Sequence, residues 1–192
     1  MDAFLIAFGV VFLAELGDKS QLMALAFATR YRALTVLVAV SVATLLVHAG
    51  SVVIGSVVAL ALPTHLILVV AGLAFFGFAA WTLRGDQLGE GEARRAQAQG
   101  RWAVLTIGSA FFLAELGDKT MLATITLATT EDPIGVWLGS TAGMVAADAI
   151  AIGIGALLGS RLPERAIRIV AALAFLVFGA ILVAEGLGLA VA

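Results

Sequence analysis

A ten-residue phrase that occurs twice constrains this chain more than any other feature. Phe12-Leu13-Ala14-Glu15-Leu16-Gly17-Asp18-Lys19-Ser20-Gln21 returns 100 residues later as Phe112-Leu113-Ala114-Glu115-Leu116-Gly117-Asp118-Lys119-Thr120-Met121. Each copy sets two carboxylates and a lysine inside an otherwise apolar stretch. A charge at the centre of a bilayer costs roughly 2.5–3.5 kcal/mol on insertion scales. Three per segment, twice over, point to a buried acidic site that handles cations.

The bilayer is the expected solvent because the chain is 62% hydrophobic and only 12% charged, with a mean hydropathy of +1.11. A soluble domain of 192 residues could not hide that much apolar surface. The expected fold class is an all-α integral membrane protein. Six apolar stretches are long enough to cross a bilayer, which needs roughly 20 residues, near 3–28, 35–61, 65–84, 102–129, 134–160 and 166–190. Met1-Asp2-Ala3-Phe4 lacks a basic flank and reads as the start of the first span. The polar run 85–101 reads as a linker, with a short surface helix over Glu92 to Gln99. The expected units are therefore 1–84, a cytoplasmic linker 85–101, and 102–192.

The repeat extends well past the motif. Pro63 corresponds to Pro163, Val70 to Phe75 correspond to Val170 to Phe175, and His48 corresponds to Asp148. An odd number of spans per copy sends the second copy into the membrane from the opposite side, giving a 3+3 inverted-topology repeat. The loop arginines agree. Arg30, Arg32, Arg84, Arg94, Arg95, Arg101, Arg161, Arg165 and Arg168 all fall on one side of this topology. By the positive-inside rule that side is cytoplasmic and both termini are periplasmic, in a multi-pass protein of the bacterial cytoplasmic (inner) membrane. Trp81, Trp102 and Trp137 fall at span ends, where interfacial aromatics belong.

On a continuous helix Glu15, Asp18 and Lys19 share one face, as do Glu115, Asp118 and Lys119. Gly17 inside the triplet can loosen the helix and free a carbonyl. Four motif carboxylates against two ammonium groups leave two negative charges, the charge of one divalent cation or two protons. Carboxylates with the Ser20 and Thr120 hydroxyls suit hard cations such as Mn²⁺, Ca²⁺ or Mg²⁺. The candidate metal-binding residues are Glu15, Asp18, Ser20, Glu115, Asp118 and Thr120. No cysteine is present, so thiolate sites are excluded, and no resident cofactor is expected.

Blander readings stand beside these. The Glu15–Lys19 and Glu115–Lys119 spacings could make structural ion pairs. Lys19 and Lys119 are either packing partners of the acids or moving parts of a transport cycle. Asp148 and His48 are pathway residues or satisfied interhelical contacts, and Gln21 lines the pathway or packs. Met121 is a soft ligand or packing, and Glu185 a solvated end residue. Gly135, Gly139 and Gly143, like Gly155 and Gly159, form small-residue stripes suited to close helix packing.

The doubled Glu-x-Gly-Asp-Lys-Ser/Thr motif in six spans resembles the cation/proton exchanger family of the Golgi transmembrane-protein-165 type and the bacterial MneA-type manganese exporters. The resemblance covers essentially the whole chain. It implies export of Mn²⁺ or Ca²⁺ from the cytoplasm in exchange for protons, by the short bacterial form. On the motif it carries over to Glu15, Gly17, Asp18, Lys19 and Ser20, and to Glu115, Gly117, Asp118, Lys119 and Thr120. The expected partners are a divalent cation, protons and the lipid bilayer, with no nucleic acid and a homodimer left open. The competing readings are a passive cation channel, a small-solute exporter, and an intramembrane hydrolase using Asp18 and Asp118. The last is disfavoured because acid/base division of labour needs unlike environments.

Overall fold

Two glycines set the architecture. In a computed structural model of the chain, Gly17 has φ 76° and Gly117 φ 80°, in the left-handed region that residues with a Cβ avoid. The structure describes residues 2–84, 90–96, 102–158 and 164–189. Arg101, Gly159, Arg161 and Pro163 lie outside the described residues, as do 85–89 and 97–101 of the linker.

Among the described residues the helices are α1 (Asp2–Glu15), α2 (Lys19–Ala28), α3 (Ala33–Ala61), α4 (Thr64–Arg84), α5 (Glu90–Ala96), α6 (Ala103–Glu115), α7 (Lys119–Thr130), α8 (Pro133–Leu158) and α9 (Glu164–Gly186). The helix through each motif is not merely loosened at its glycine but broken there, so the shared face of a continuous helix is lost. Glu15 ends α1, Gly17 turns the chain, and Asp18 starts α2 from an extended backbone (φ −83°, ψ 167°). The second copy repeats the turn, with Asp118 at φ −74°, ψ 165°. The same bonds close both turns. The Asp18 N–H donates to Glu15 O at 3.0 Å and the Asp118 N–H to Glu115 O at 3.1 Å. The residue four beyond each glycine's start buttresses it: the Gly17 N–H donates to Gln21 Oε1 at 2.8 Å, and the Gly117 N–H to Met121 Sδ at 3.1 Å. Glu15 and Lys19 therefore do not share a helix.

The most extensive helix contacts join one copy to the other. α1 packs along α8, α4 along α9, and α3 against α6, α7 and α8. The glycine stripe on α8 makes the first of these possible. A Cβ on Gly139 would lie within contact-breaking distance of Phe4 O, and one on Gly143 would stand 2.6 Å from Phe8 O. α4 and α9 meet through corresponding aromatics: the rings of Phe75 and Phe175 lie 5.7 Å apart, with Phe78 and Phe178 packed around them.

The outside is apolar. Leu34, Leu46, Val57, Leu60, Leu105 and Val177 are exposed, Leu60 to 90%. α3, α4, the Pro133–Gly153 part of α8 and the Ile169–Gly186 part of α9 are long and apolar enough to cross a membrane. The other two expected spans, 3–28 and 102–129, are each built of two shorter helices. The short linker helix lies at Glu90–Ala96, starting earlier than the sequence suggests, and packs against α2 and α6. The Trp137 indole N–H donates to Leu45 O on α3 at 3.0 Å.

Candidate cation site

The two turns bury their polar residues. Glu15, Asp18, Ser20, Gln21, Glu115, Asp118, Lys119 and Thr120 are all buried, and so are His48 on α3 and Asp148 on α8. Breaking a helix here has an electrostatic consequence. The carboxyl ends of α1 and α6 leave carbonyls outside the helical ladder, which favours cations, while the amino ends of α2 and α7 favour the carboxylates.

Asp18 and Asp118 occupy helix N-cap positions, where an aspartate ordinarily accepts from the first-turn N–H groups. Neither does so. Each side chain instead faces the lysine of the other copy. Lys119 Nζ stands 2.5 Å from Asp18 Oδ1, and Lys19 Nζ 3.1 Å from Asp118 Oδ1. The i, i+4 pairs of Glu15 with Lys19 and of Glu115 with Lys119 that the spacing allows do not form, and pairs of residues about 100 apart stand in their place. The helix break is the cause, since it takes each lysine off the helix that carries the glutamate.

The glutamates are left differently. The Thr120 hydroxyl donates to Glu115 Oε2 at 3.0 Å, and the Ser20 hydroxyl to Asp18 Oδ2 at 3.4 Å. Both oxygens of Glu15, Oε1 of Glu115 and both oxygens of Asp148 are buried without a hydrogen-bond partner. Glu15 lies within electrostatic reach of Glu115, Asp18, Asp148 and Asp118. Asp118 Oδ1 has its charge contact to Lys19 but no aligned hydrogen bond. Among the described residues, no three acid, histidine or cysteine side chains stand close enough to ligate one ion as they are placed. The ammonium groups stand against the aspartates in this arrangement.

Gln21 ties the first turn to α8: while Oε1 accepts from Gly17, Nε2 donates to Ala147 O at 3.0 Å, next to Asp148. His48 Nδ1 lies 3.5 Å from Thr141 Oγ1, so its polar contact is not a motif residue, and Nε2 has no partner. Met121 spends its sulfur on the second turn. Two features are absent from the sequence reading. Glu92 of α5 reaches Lys19 Nζ at 3.1 Å; nothing distinguishes it in sequence from the other linker acids. The Thr44 hydroxyl donates to Met144 Sδ at 3.2 Å, and here the 100-residue correspondence was an available signal.

Apolar helices that expose leucine and valine while enclosing carboxylates and lysines define a multi-pass membrane protein of the cation-transporting class. A family described as "Divalent cation/proton antiporter GDT1" matches residues 3–90 and 103–189. The chain belongs to this family, and it is a transporter rather than an enzyme. It is 37% identical over 179 residues to a Vibrio cholerae protein described as "Putative manganese exporter", covering 92% of this chain and 88% of the relative. It is 36% identical over 213 residues to Protein PAM71, chloroplastic, of Arabidopsis thaliana, covering 96% of this chain but 57% of the relative. GDT1-like protein 2, chloroplastic, of Oryza sativa is 33% identical over 206 residues, with coverages of 92% and 59%. No solved structure matches the chain.

Proposed function

We propose that this chain exports a divalent cation, Mn²⁺ in first place and Ca²⁺ as the alternative, from the bacterial cytoplasm in exchange for protons. The observation that carries the proposal is Glu15: a fully buried carboxylate with neither oxygen hydrogen-bonded, within electrostatic reach of Glu115, Asp18, Asp148 and Asp118. Buried carboxylates crowded in this way take either protons or a cation, because neither burial nor mutual repulsion tolerates bare charge. Manganese is placed first because of the description borne by the Vibrio relative.

In this reading each broken pair, α1 with α2 and α6 with α7, is one span, which makes six in two inverted copies with both termini periplasmic. Discontinuous helices at matching places in two halves support a transport site between them. Glu15, Glu115, Asp18 and Asp118 supply cation oxygens with the Ser20 and Thr120 hydroxyls. Lys19 and Lys119 leave the aspartates as the ion arrives. Gln21, His48 and Asp148 belong to the pathway, with Asp148 able to share the proton load. Rocking of one copy against the other then moves the occupied site from one face to the other.

Transport into proteoliposomes with an imposed pH gradient tests this, comparing Mn²⁺, Ca²⁺ and Mg²⁺. Uphill accumulation of Mn²⁺ driven by the proton gradient is expected, and its loss in Glu15→Gln, Glu115→Gln. Cation flux that only follows its own gradient would identify a channel and overturn the exchange mechanism.

A further inference from the structure

Lys19 stands between two carboxylates from different parts of the chain. Its Nζ is 3.1 Å from Asp118 Oδ1 at the second motif and 3.1 Å from Glu92 Oε1 on the linker helix α5. The Asp118 side chain is fully buried, while those of Lys19 and Glu92 keep 16% and 20% of their surface exposed. α5 is held in place by contacts with α2, which begins at Lys19, and with α6. The linker therefore reaches one lysine of the site. The side chain of Lys119, against Asp18, is only 4% exposed.

We infer that Glu92 is a positioning residue of the cation site, taking the Lys19 ammonium over from Asp118 when a divalent cation binds. This inference rests on the cation-site reading given above. An ammonium carries three donors and can bond both carboxylates at once. A cation bound at Asp118 repels the ammonium beside it. A partly buried ammonium pushed off one anion is costly unless a second anion already waits within bonding distance. Glu92 is that anion. It lowers the cost of freeing Asp118 and so raises the cation affinity of the whole site, without touching the ion. The release works through Lys19, so it requires Lys19.

The test is Mn²⁺ binding to the full-length chain in detergent, read by the electron paramagnetic resonance signal of free Mn²⁺. Glu92→Gln should weaken binding about three- to fivefold, the scale of a partly exposed ion pair. Glu92→Asp should restore part of the loss, and Glu90→Gln on the same helix should bind as wild type. In a Lys19→Met background Glu92→Gln should have no further effect, an outcome that a merely structural role for α5 would not produce. Wild-type affinity in Glu92→Gln would overturn the inference, as would an equal loss with and without Lys19. Glu92→Asp carries the comparison if Glu92→Gln melts early. Failure of the wild-type chain to bind Mn²⁺ or Ca²⁺ would bring down the cation-site reading itself. Normal wild-type binding with an unaffected Glu92→Gln would remove only the role of Glu92.

Discussion

Lys119 stands 2.5 Å from Asp18 across a sequence separation of 101 residues, and Lys19 repeats the relationship with Asp118 at 3.1 Å. Each motif's ammonium serves the other motif's aspartate. Ion pairs within one copy would leave the two copies free to shift without electrical consequence. Crossed pairs make the charge state of the centre and the fit between the copies a single variable. In the exchange proposed above, a cation that displaces both lysines would loosen the copies as it binds.

The crossed pair predicts a specific pattern of stability. Removing one member of a buried pair costs about 3–5 kcal/mol, because the other charge is stranded, whereas removing both is much milder. Asp18→Asn and Lys119→Met should each lower the unfolding midpoint in detergent, and the double variant should recover most of the loss. Losses that simply add would mean that the two residues do not depend on each other. None of the three variants should transport.

The buried acids are legible in sequence because a charge in an apolar run has few alternatives. The helix break is half legible: Gly17 and Gly117 invite one, but a left-handed turn at both is a tertiary outcome. Reading the helix through misplaces everything that depends on it. Glu15 and Lys19 look like neighbours by spacing, and the turn sends Lys19 to Asp118 instead. Glu92 carries no signal, since several linker acids look alike until α5 docks against α2. His48 and Asp148 correspond by offset, yet one contacts Thr141 and the other has unpartnered oxygens.

Glycines of different kinds should respond differently to alanine. Gly117 has open space around a Cβ but a φ of 80°, so Gly117→Ala stores about 1–2 kcal/mol of backbone strain. Gly139 has an ordinary backbone but abuts Phe4 O, so Gly139→Ala should separate α8 from α1 at a cost of about 1–3 kcal/mol. A Cβ on Gly153 meets nothing within 4 Å, and Gly153→Ala should be neutral or slightly stabilising. Thermal melts of the three variants should rank accordingly. Transport should suffer most in Gly117→Ala, whose strain sits in the site.

Outside the membrane, Glu131 follows α7 and faces other acids. Burial first, then the charges of Glu185 and Asp2, push its carboxyl above the ordinary 4.5. The folded chain thus holds this proton more tightly than the unfolded chain does. That contribution to stability is complete below pH 4.5 and is lost as the pH rises through the raised value. Glu131→Gln should flatten this part of the melting-point profile and raise the midpoint at neutral pH. The difference will be small because the side chain is only partly buried and solvent screens its charge. Superimposable profiles for wild type and variant would refute the assignment.

Proton release on metal binding is the sharpest consequence of the site. Asp18 and Asp118 face ammonium groups. Glu15, Glu115 and Asp148 each hold buried oxygens without a partner and must be neutralised in the cation-free state. A divalent cation brought to these oxygens expels the protons, since both compete for the same lone pairs. About two protons should leave per cation bound, matching the excess of two carboxylates over ammonium groups in the motifs. Glu15→Gln should lower that number more than Asp18→Asn does, because Asp18 is already balanced by Lys119. Acidifying the binding face should weaken apparent affinity for the same reason. The measurement is the proton yield in lightly buffered detergent solution between about pH 6 and pH 8, over which metal and protons compete. Mn²⁺ binding without proton release would rule the exchange mechanism out. An equal loss in Glu15→Gln and Asp18→Asn would move the coupling protons from the glutamates to the lysine-paired aspartates.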